Sequence, residues 1–220
     1  MSSSWTQVRR LPARRVLAVT QALSAVAILS IINMHSHRPA LADRIPAEGV
    51  QGPNSNPVND LFNALSRCQM PLSENERWRL AGAIDQESHQ HGYDPMFVMA
   101  MIQVESGCSP TAEGERGGIG LVQLKPSTAR AVAKEAGLPW QGAETLKRPL
   151  FNVKLGLLYL AQLEEQFGDP YLAMVAFNKG PARVGRMSPQ RARGARYVKK
   201  IMARYEDLTD EAAADAAEAL

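Results

Sequence analysis

The chain has 220 residues, 45% hydrophobic and 21% charged, proportions near the globular average that exclude wholesale disorder, collagen-like repeats and a coiled-coil rod. Two cysteines are too few for a disulfide scaffold or a thiolate zinc site. The net charge of +3 is carried by residues 1–42, which hold five arginines and no acid; the remainder has 20 basic against 22 acidic residues and gives no reason to expect nucleic acid as a partner.

Arg9, Arg10, Arg14 and Arg15 precede an uncharged stretch, Val16 to Ile32, in which only Thr20, Gln21, Ser24 and Ser30 are polar. Pro39 and then Ala40-Leu41-Ala42 follow, a small-x-small site of the kind signal peptidase accepts. As a helix the apolar stretch would reach about 25 Å, short of a ~30 Å hydrocarbon core. Residues 1–42 therefore read as an export signal cut after Ala42. The alternative is an uncleaved signal-anchor in the inner membrane, its arginines on the cytoplasmic side. Either way the body of the protein lies outside the cytoplasm, where thiols oxidise.

Residues 43–58, with Pro46, Gly49, Gly52, Pro53 and Pro57, read as a flexible linker. Every periodic segment after it is helical. Ser73 to Glu76 is a capping box opening a helix that ends at His91-Gly92. Asp94-Pro95 starts the next, whose residues Met96 to Val104 are apolar on nearly every face and predict a central buried helix. Pro126 opens another, stopped by Gly137; Asn152 to Phe167 is long and closed by Gly168. Pro170 to Phe177 and Gln190 to Tyr205 complete the set. These elements define one all-α domain over 59–205. The tail, 206–220, is alanine-rich, with six acids and no base; nothing on it is expected to anchor to a core. Just before it, 179–204 carries nine basic residues and no acid, read as a solvated face or a surface for an anionic polymer. His89 and His91 are two apart on a helix and point apart, so they make a poor metal pair. No metal site or cofactor is expected.

Glu105 is the candidate for the chemistry, the alternative from its position alone being a glutamate that reaches the surface at a helix end. It stands where the apolar helix stops, facing the negative end of the helix dipole and losing hydration. Both effects raise a carboxyl pKa, as a general acid working near neutral pH requires. The glycines that follow, Gly107, Gly114, Gly117, Gly118 and Gly120, let backbone approach an extended ligand. Gln123 and Ser127 supply hydrogen-bonding groups of the kind sugar hydroxyls and N-acetyl groups need.

Residues 105–129, ESGCSPTAEGERGGIGLVQLKPSTA, resemble the signature of the soluble lytic transglycosylase (SLT) domain family, E-S…P-x-A…G-x-x-G-L-x-Q-L-x-P-x-T-A. Asn152-x-x-x-Gly156-x-x-Tyr159-Leu160 resembles the family's N-x-x-x-G-x-x-Y-L helix, with Gly156 read as letting another helix pack closely. Ala176 to Pro181 resembles its A-Y-N-x-G-P turn, and Tyr197 to Ile201 its closing Y-V-x-x-V/I helix. The resemblance implies a lysozyme-like helical domain that cleaves the β-1,4 bond between N-acetylmuramic acid and N-acetylglucosamine in peptidoglycan. It makes Glu105 the sole catalytic carboxyl, acting as acid and then base to leave a 1,6-anhydromuramoyl end. It also implies that Gln123, Tyr159, Phe177, Asn178 and Tyr197 line a glycan cleft, with Ser106 beside the acid.

Phe177 stands where the family usually has Tyr, Gly114 where Ser is usual, Lys125 where Met is usual and Arg193 where Glu is common. A second carboxylate from Glu113 or Glu115, poised across a water, would instead give lysozyme-type hydrolysis. A non-catalytic glycan-binding module of a secretion or pilus apparatus is the remaining alternative. In an oxidising compartment Cys68 and Cys108 are expected to form one disulfide, the alternative being two buried small hydrophobes.

Overall fold

The computed structural model describes residues 56–218; the signal or anchor segment and most of the linker lie outside the described residues. Eight α-helices follow in order: α1 (Pro57–Arg67), α2 (Glu74–His91), α3 (Pro95–Ser106), α4 (Pro126–Glu135), α5 (Pro149–Phe167), α6 (Pro170–Lys179), α7 (Pro189–Arg193) and α8 (Arg196–Glu218). Short 3₁₀ turns occupy Ala143–Lys147 and Pro181–Arg183. Among the described residues extended backbone pairs only at isolated bridges, Glu113 with Ile119 and Ile119 with Leu124.

Local chemistry sets the helix boundaries. The Ser73 hydroxyl accepts from the Glu76 N–H while Glu76 Oε2 accepts from the Ser73 N–H at 2.8 Å, the reciprocal pair of a capping box. Asp94 Oδ1 accepts from the Met96 N–H at 2.7 Å, and Pro95 sits at the first helical position, where a missing N–H costs nothing. Gly92, Gly107 and Gly168 end α2, α3 and α5 in the left-handed conformation.

α3 is the hub. Every residue from Pro95 to Ile102 is buried, because α1, α2 and α8 all pack against it. α5 is the second hub, against α2, α4 and α6. Phe97, Met99, Met101, Ile102, Leu155 and Leu157 fill the space between these layers.

Two expectations are corrected. The last helical stretch is broken: α7 stops at Arg193, and α8 begins at Arg196. α8 then runs through the acidic segment, which is anchored after all. Leu208 is fully buried, and Asp215 Oδ2 accepts from Arg67 Nη1 at 2.9 Å and from Asn63 Nδ2 at 3.2 Å, both on α1. Glu211 and Asp215 of the segment find a cation, Arg67, on α1, which charge counting along one stretch of sequence does not register. Cys68, at the C-terminus of α1, and Cys108, just beyond α3, are disulfide-bonded.

Candidate active site

Glu105 occupies the last turn of α3, and the left-handed Gly107 turns the chain away immediately after it. Met101 and Ile102, one turn back on the helix, are buried and Glu105 itself is partly covered, and burial pushes its pKa above the ordinary value. Three groups oppose that push by favouring the charged form: the Tyr197 hydroxyl, then the Arg116 and Lys200 charges. The Tyr197 hydroxyl donates to Glu105 Oε1 at 2.6 Å. Burial, together with the adjacent carboxylate, holds the phenol well above its usual range, so it remains a donor. The net result is a carboxyl with raised proton affinity, oriented by one strong hydrogen bond.

The glycine loop between α3 and α4 is pinned to α5 by Asn152. This side chain is fully buried; its Oδ1 accepts from the Val122 N–H at 2.9 Å and its Nδ2 donates to the Ile119 carbonyl at 2.9 Å. Gly120, at φ +82°, lies so close that a Cβ there would collide with the Leu146 carbonyl and the Asn152 amide. Gly156, one turn along α5 from Asn152, faces the Val122 side chain. Its smallness therefore admits the loop rather than a second helix, a correction to the sequence reading.

An open cleft of about 600 Å³ lies over Glu105. Gln123, Tyr159, Phe177, Asn178 and Tyr197 all line it. The Tyr159 and Phe177 rings meet at 5.4 Å between centroids, forming an aromatic wall. Gln123 uses its Nε2 within the loop, donating to the carbonyls of Ala112 (3.1 Å) and Gly120 (3.0 Å). A side chain at 114 would run into the Gln123 amide oxygen, so Gly114 leaves room for the amide where it stands.

Ser106 falls outside the lining. Its hydroxyl donates back to the Ile102 carbonyl at 3.1 Å, a bond within α3. Ser127 is exposed, and Thr128 lines the cleft in its place. Reading the sequence missed Thr128 and the cations Arg116, Lys179 and Lys200; the basic run 179–204 was the one signal for the last two.

The neighbouring acids divide. Glu113 is tied to Lys147 Nζ at 2.8 Å and does not line the cleft, whereas Glu115 does, from an exposed loop position. Arg193, where the family often has Glu, lays its guanidinium over the Tyr171 ring at 4.5 Å. Among the described residues, no group of three or more His, Cys, Asp or Glu is arranged to hold a metal ion.

A helical body with a half-dry carboxyl beneath an open cleft of amides, aromatic rings and cations is the arrangement of the lysozyme-like superfamily. Residues 82–213 match the family described as Transglycosylase SLT domain, and the chain belongs to that family. It is 39% identical over 99 residues to an endo-type membrane-bound lytic murein transglycosylase A of Klebsiella pneumoniae, covering 43% of this chain and 42% of that one. It is 34% identical over 90 residues to a soluble lytic murein transglycosylase of Salmonella typhimurium, covering 40% of this chain and 14% of the relative. The chain thus spans less than half the length of these curated relatives. Among solved structures, an inactive variant of the lytic transglycosylase Slt from Pseudomonas aeruginosa superposes with a TM-score of 0.52 and 25% identity, over 68% of this chain and 27% of that one.

Proposed function

We propose that this domain is a peptidoglycan lytic transglycosylase in which Glu105 acts alone, first as acid and then as base. Protonated Glu105 gives its proton to the glycosidic oxygen between N-acetylmuramic acid and N-acetylglucosamine as the C1–O bond breaks. The resulting carboxylate takes the proton from the muramoyl 6-hydroxyl, whose oxygen closes onto C1 and leaves a 1,6-anhydro end. The proton count balances, and no water is consumed. One observation carries the reading: among the described residues, the only carboxyl in the cleft that is both shielded from water and fixed by a hydrogen bond is Glu105. Tyr197 is a positioning residue, and Gln123, Tyr159, Phe177 and Asn178 are the groups that would face the sugars.

The same reading extends to location. Murein lies outside the cytoplasm, and the arginine-flanked apolar stretch at 16–32 is the segment that would export or tether the domain.

Digestion of purified sacculi followed by mass analysis of the muropeptides tests the reaction. Anhydro ends are expected, and Glu105→Gln should abolish them while keeping the fold. Reducing ends would assign hydrolysis instead, with Glu115, the other carboxylate of the cleft, as the group to hold a water. Intact sacculi that retain the bound protein would assign a glycan-binding module.

A further inference from the structure

We propose that the cleft selects glycan strands bearing free carboxylates beside the linkage to be cleaved, and that Arg116, Lys125, Lys179 and Lys200 are the groups that select them. This rests on the glycan-cleft reading of the site above and goes beyond it to the class of strand preferred.

The four cations come from four separate places in the fold: Arg116 from the glycine loop, Lys125 from the start of α4, Lys179 from the end of α6 and Lys200 from α8. All four line the same cleft. Among the described residues, only Glu105, whose proton affinity is raised, and the exposed Glu115 stand against them. Among the described residues no ion pair within 4 Å and no side-chain hydrogen bond involves any of the four.

The acids of α8 do not neutralise this cluster. Three of them pair with Arg67 of α1 or with Arg204: Glu211 reaches both, at 3.1 and 2.9 Å, Asp215 reaches Arg67 and Asp207 reaches Arg204. Of the nine basic residues between 179 and 204, only Arg204 forms an ion pair among the described residues. Apart from the pull that Arg116 and Lys200 exert on Glu105, no ion pair among the described residues takes up the positive charge at the cleft.

Lys125 is the sharpest sign. It is the N-cap of α4, a position that favours Ser, Thr, Asp or Asn, and its side chain makes no capping bond. A cation there also opposes the positive end of the helix dipole. Lys125 therefore costs local stability, and no described contact offsets the cost. A neutral sugar chain does not need it, because Gln123, Asn178 and the Tyr159–Phe177 wall already offer hydrogen bonds and ring faces. A muramic acid unit adds what a neutral chain lacks. Its lactyl group ends in a carboxylate when the strand is denuded, and when a stem peptide is attached, the peptide supplies carboxylates of its own.

The test uses the Glu105→Gln variant of the full chain, expected to bind without turnover, and calorimetric Kd values for strands of equal length in three forms. These are strands with free lactyl carboxylates, the same strands with those carboxylates converted to methylamides, and strands carrying stem peptides. Solvent-exposed charge pairs are individually weak, so several acting together predict roughly fivefold tighter binding of a carboxylate-bearing form than of the methylamide. That preference should fall toward one at high salt, where the Debye length shrinks to a few ångströms. It should also fall in a background of Lys125→Met and Lys179→Met and survive Lys125→Arg and Lys179→Arg. Tighter binding of the peptide form than of the lactyl acid places the carboxylate on the stem, and the reverse places it on the lactyl group; both support the proposal. Equal, salt-insensitive affinity for all three forms overturns it, and this can be read without the lysine variants. Wild-type digestion of sacculi is scored separately, so an absence of anhydro ends would sink the assigned reaction and leave the binding preference to be judged alone.

Discussion

The Tyr197 hydroxyl and Glu105 Oε1 stand 2.6 Å apart, joined across 92 residues of sequence. α8 lies along α3, and the bond couples the two helices at the point where the carboxyl must be oriented. Burial favours the neutral acid while the phenol favours the carboxylate, so the acid–base balance of Glu105 depends on a residue at the far end of the domain.

Tyr197→Phe keeps the ring and removes only the donor. Without it the charged form of Glu105 loses its closest support, so the pKa rises further and the alkaline limb of the pH–rate profile moves up. A hydrogen bond to a charged group contributes about 1.5–3 kcal/mol, which predicts roughly a ten- to hundredfold loss in kcat/KM at neutral pH. Muropeptide release followed from pH 4 to 9 checks both effects. A profile and rate matching the wild type would show that the bond does no positioning.

Asn152→Leu should be among the most damaging changes away from the cleft itself. The side chain satisfies one buried N–H and one buried carbonyl of the glycine loop, and leucine satisfies neither. Each orphaned group costs about 1–3 kcal/mol, and the loop carrying Arg116 and Gln123 loses its attachment to α5. Thermal unfolding should shift down sharply, and strand affinity should fall even in whatever fraction remains folded. A stable variant with full affinity would mean the loop holds its own shape.

Gly156 and Gly82 are both helical glycines and should respond in opposite directions to alanine. In a helix interior alanine is favoured over glycine by about 0.5–1 kcal/mol. At Gly82, on α2, a Cβ meets nothing within 4 Å, so that gain should be realised. At Gly156 a Cβ would strike Val122 Cγ2, on a buried and β-branched side chain with little freedom to move. Overpacking there should cost about 1–3 kcal/mol and displace the loop. Urea midpoints of the two variants settle the sign of each.

Much of this fold could be read from local chemistry. The Ser73 capping box, the Asp94-Pro95 start and the glycine stops are interactions within a few residues, so motif and element coincide. The unbroken apolar run from Met96 to Ile102 could only be a helix covered on all sides. Where the sequence misled, the cause was long-range. Gly156 signals a close approach but not by what, and the partner proved to be Val122, 34 residues earlier in the chain. Arg116, Lys125, Lys179 and Lys200 converge because α6, α8 and the glycine loop converge, which no window of sequence contains. The acidic segment looked unattached because its partners, Asn63 and Arg67, precede it by about 150 residues.

That segment gives the last prediction, because its two kinds of anchor should differ in strength. Leu208 is completely buried on α8, so Leu208→Ala removes apolar contact and leaves a cavity, at a cost of about 2–5 kcal/mol. Asp215 pairs with Arg67 at 2.9 Å, but about a third of its side chain and two-fifths of the arginine's remain exposed, so solvent and salt screen the attraction. Asp215→Asn should therefore cost less than about 1 kcal/mol, and that small effect should shrink further at high salt. Removing residues 206–220 should destabilise at least as much as Leu208→Ala and only slightly more, since the apolar anchor outweighs the ionic one. Thermal melts of the three variants at low and high salt test the ranking. A truncated chain as stable as the wild type would return the segment to the status of an unattached tail.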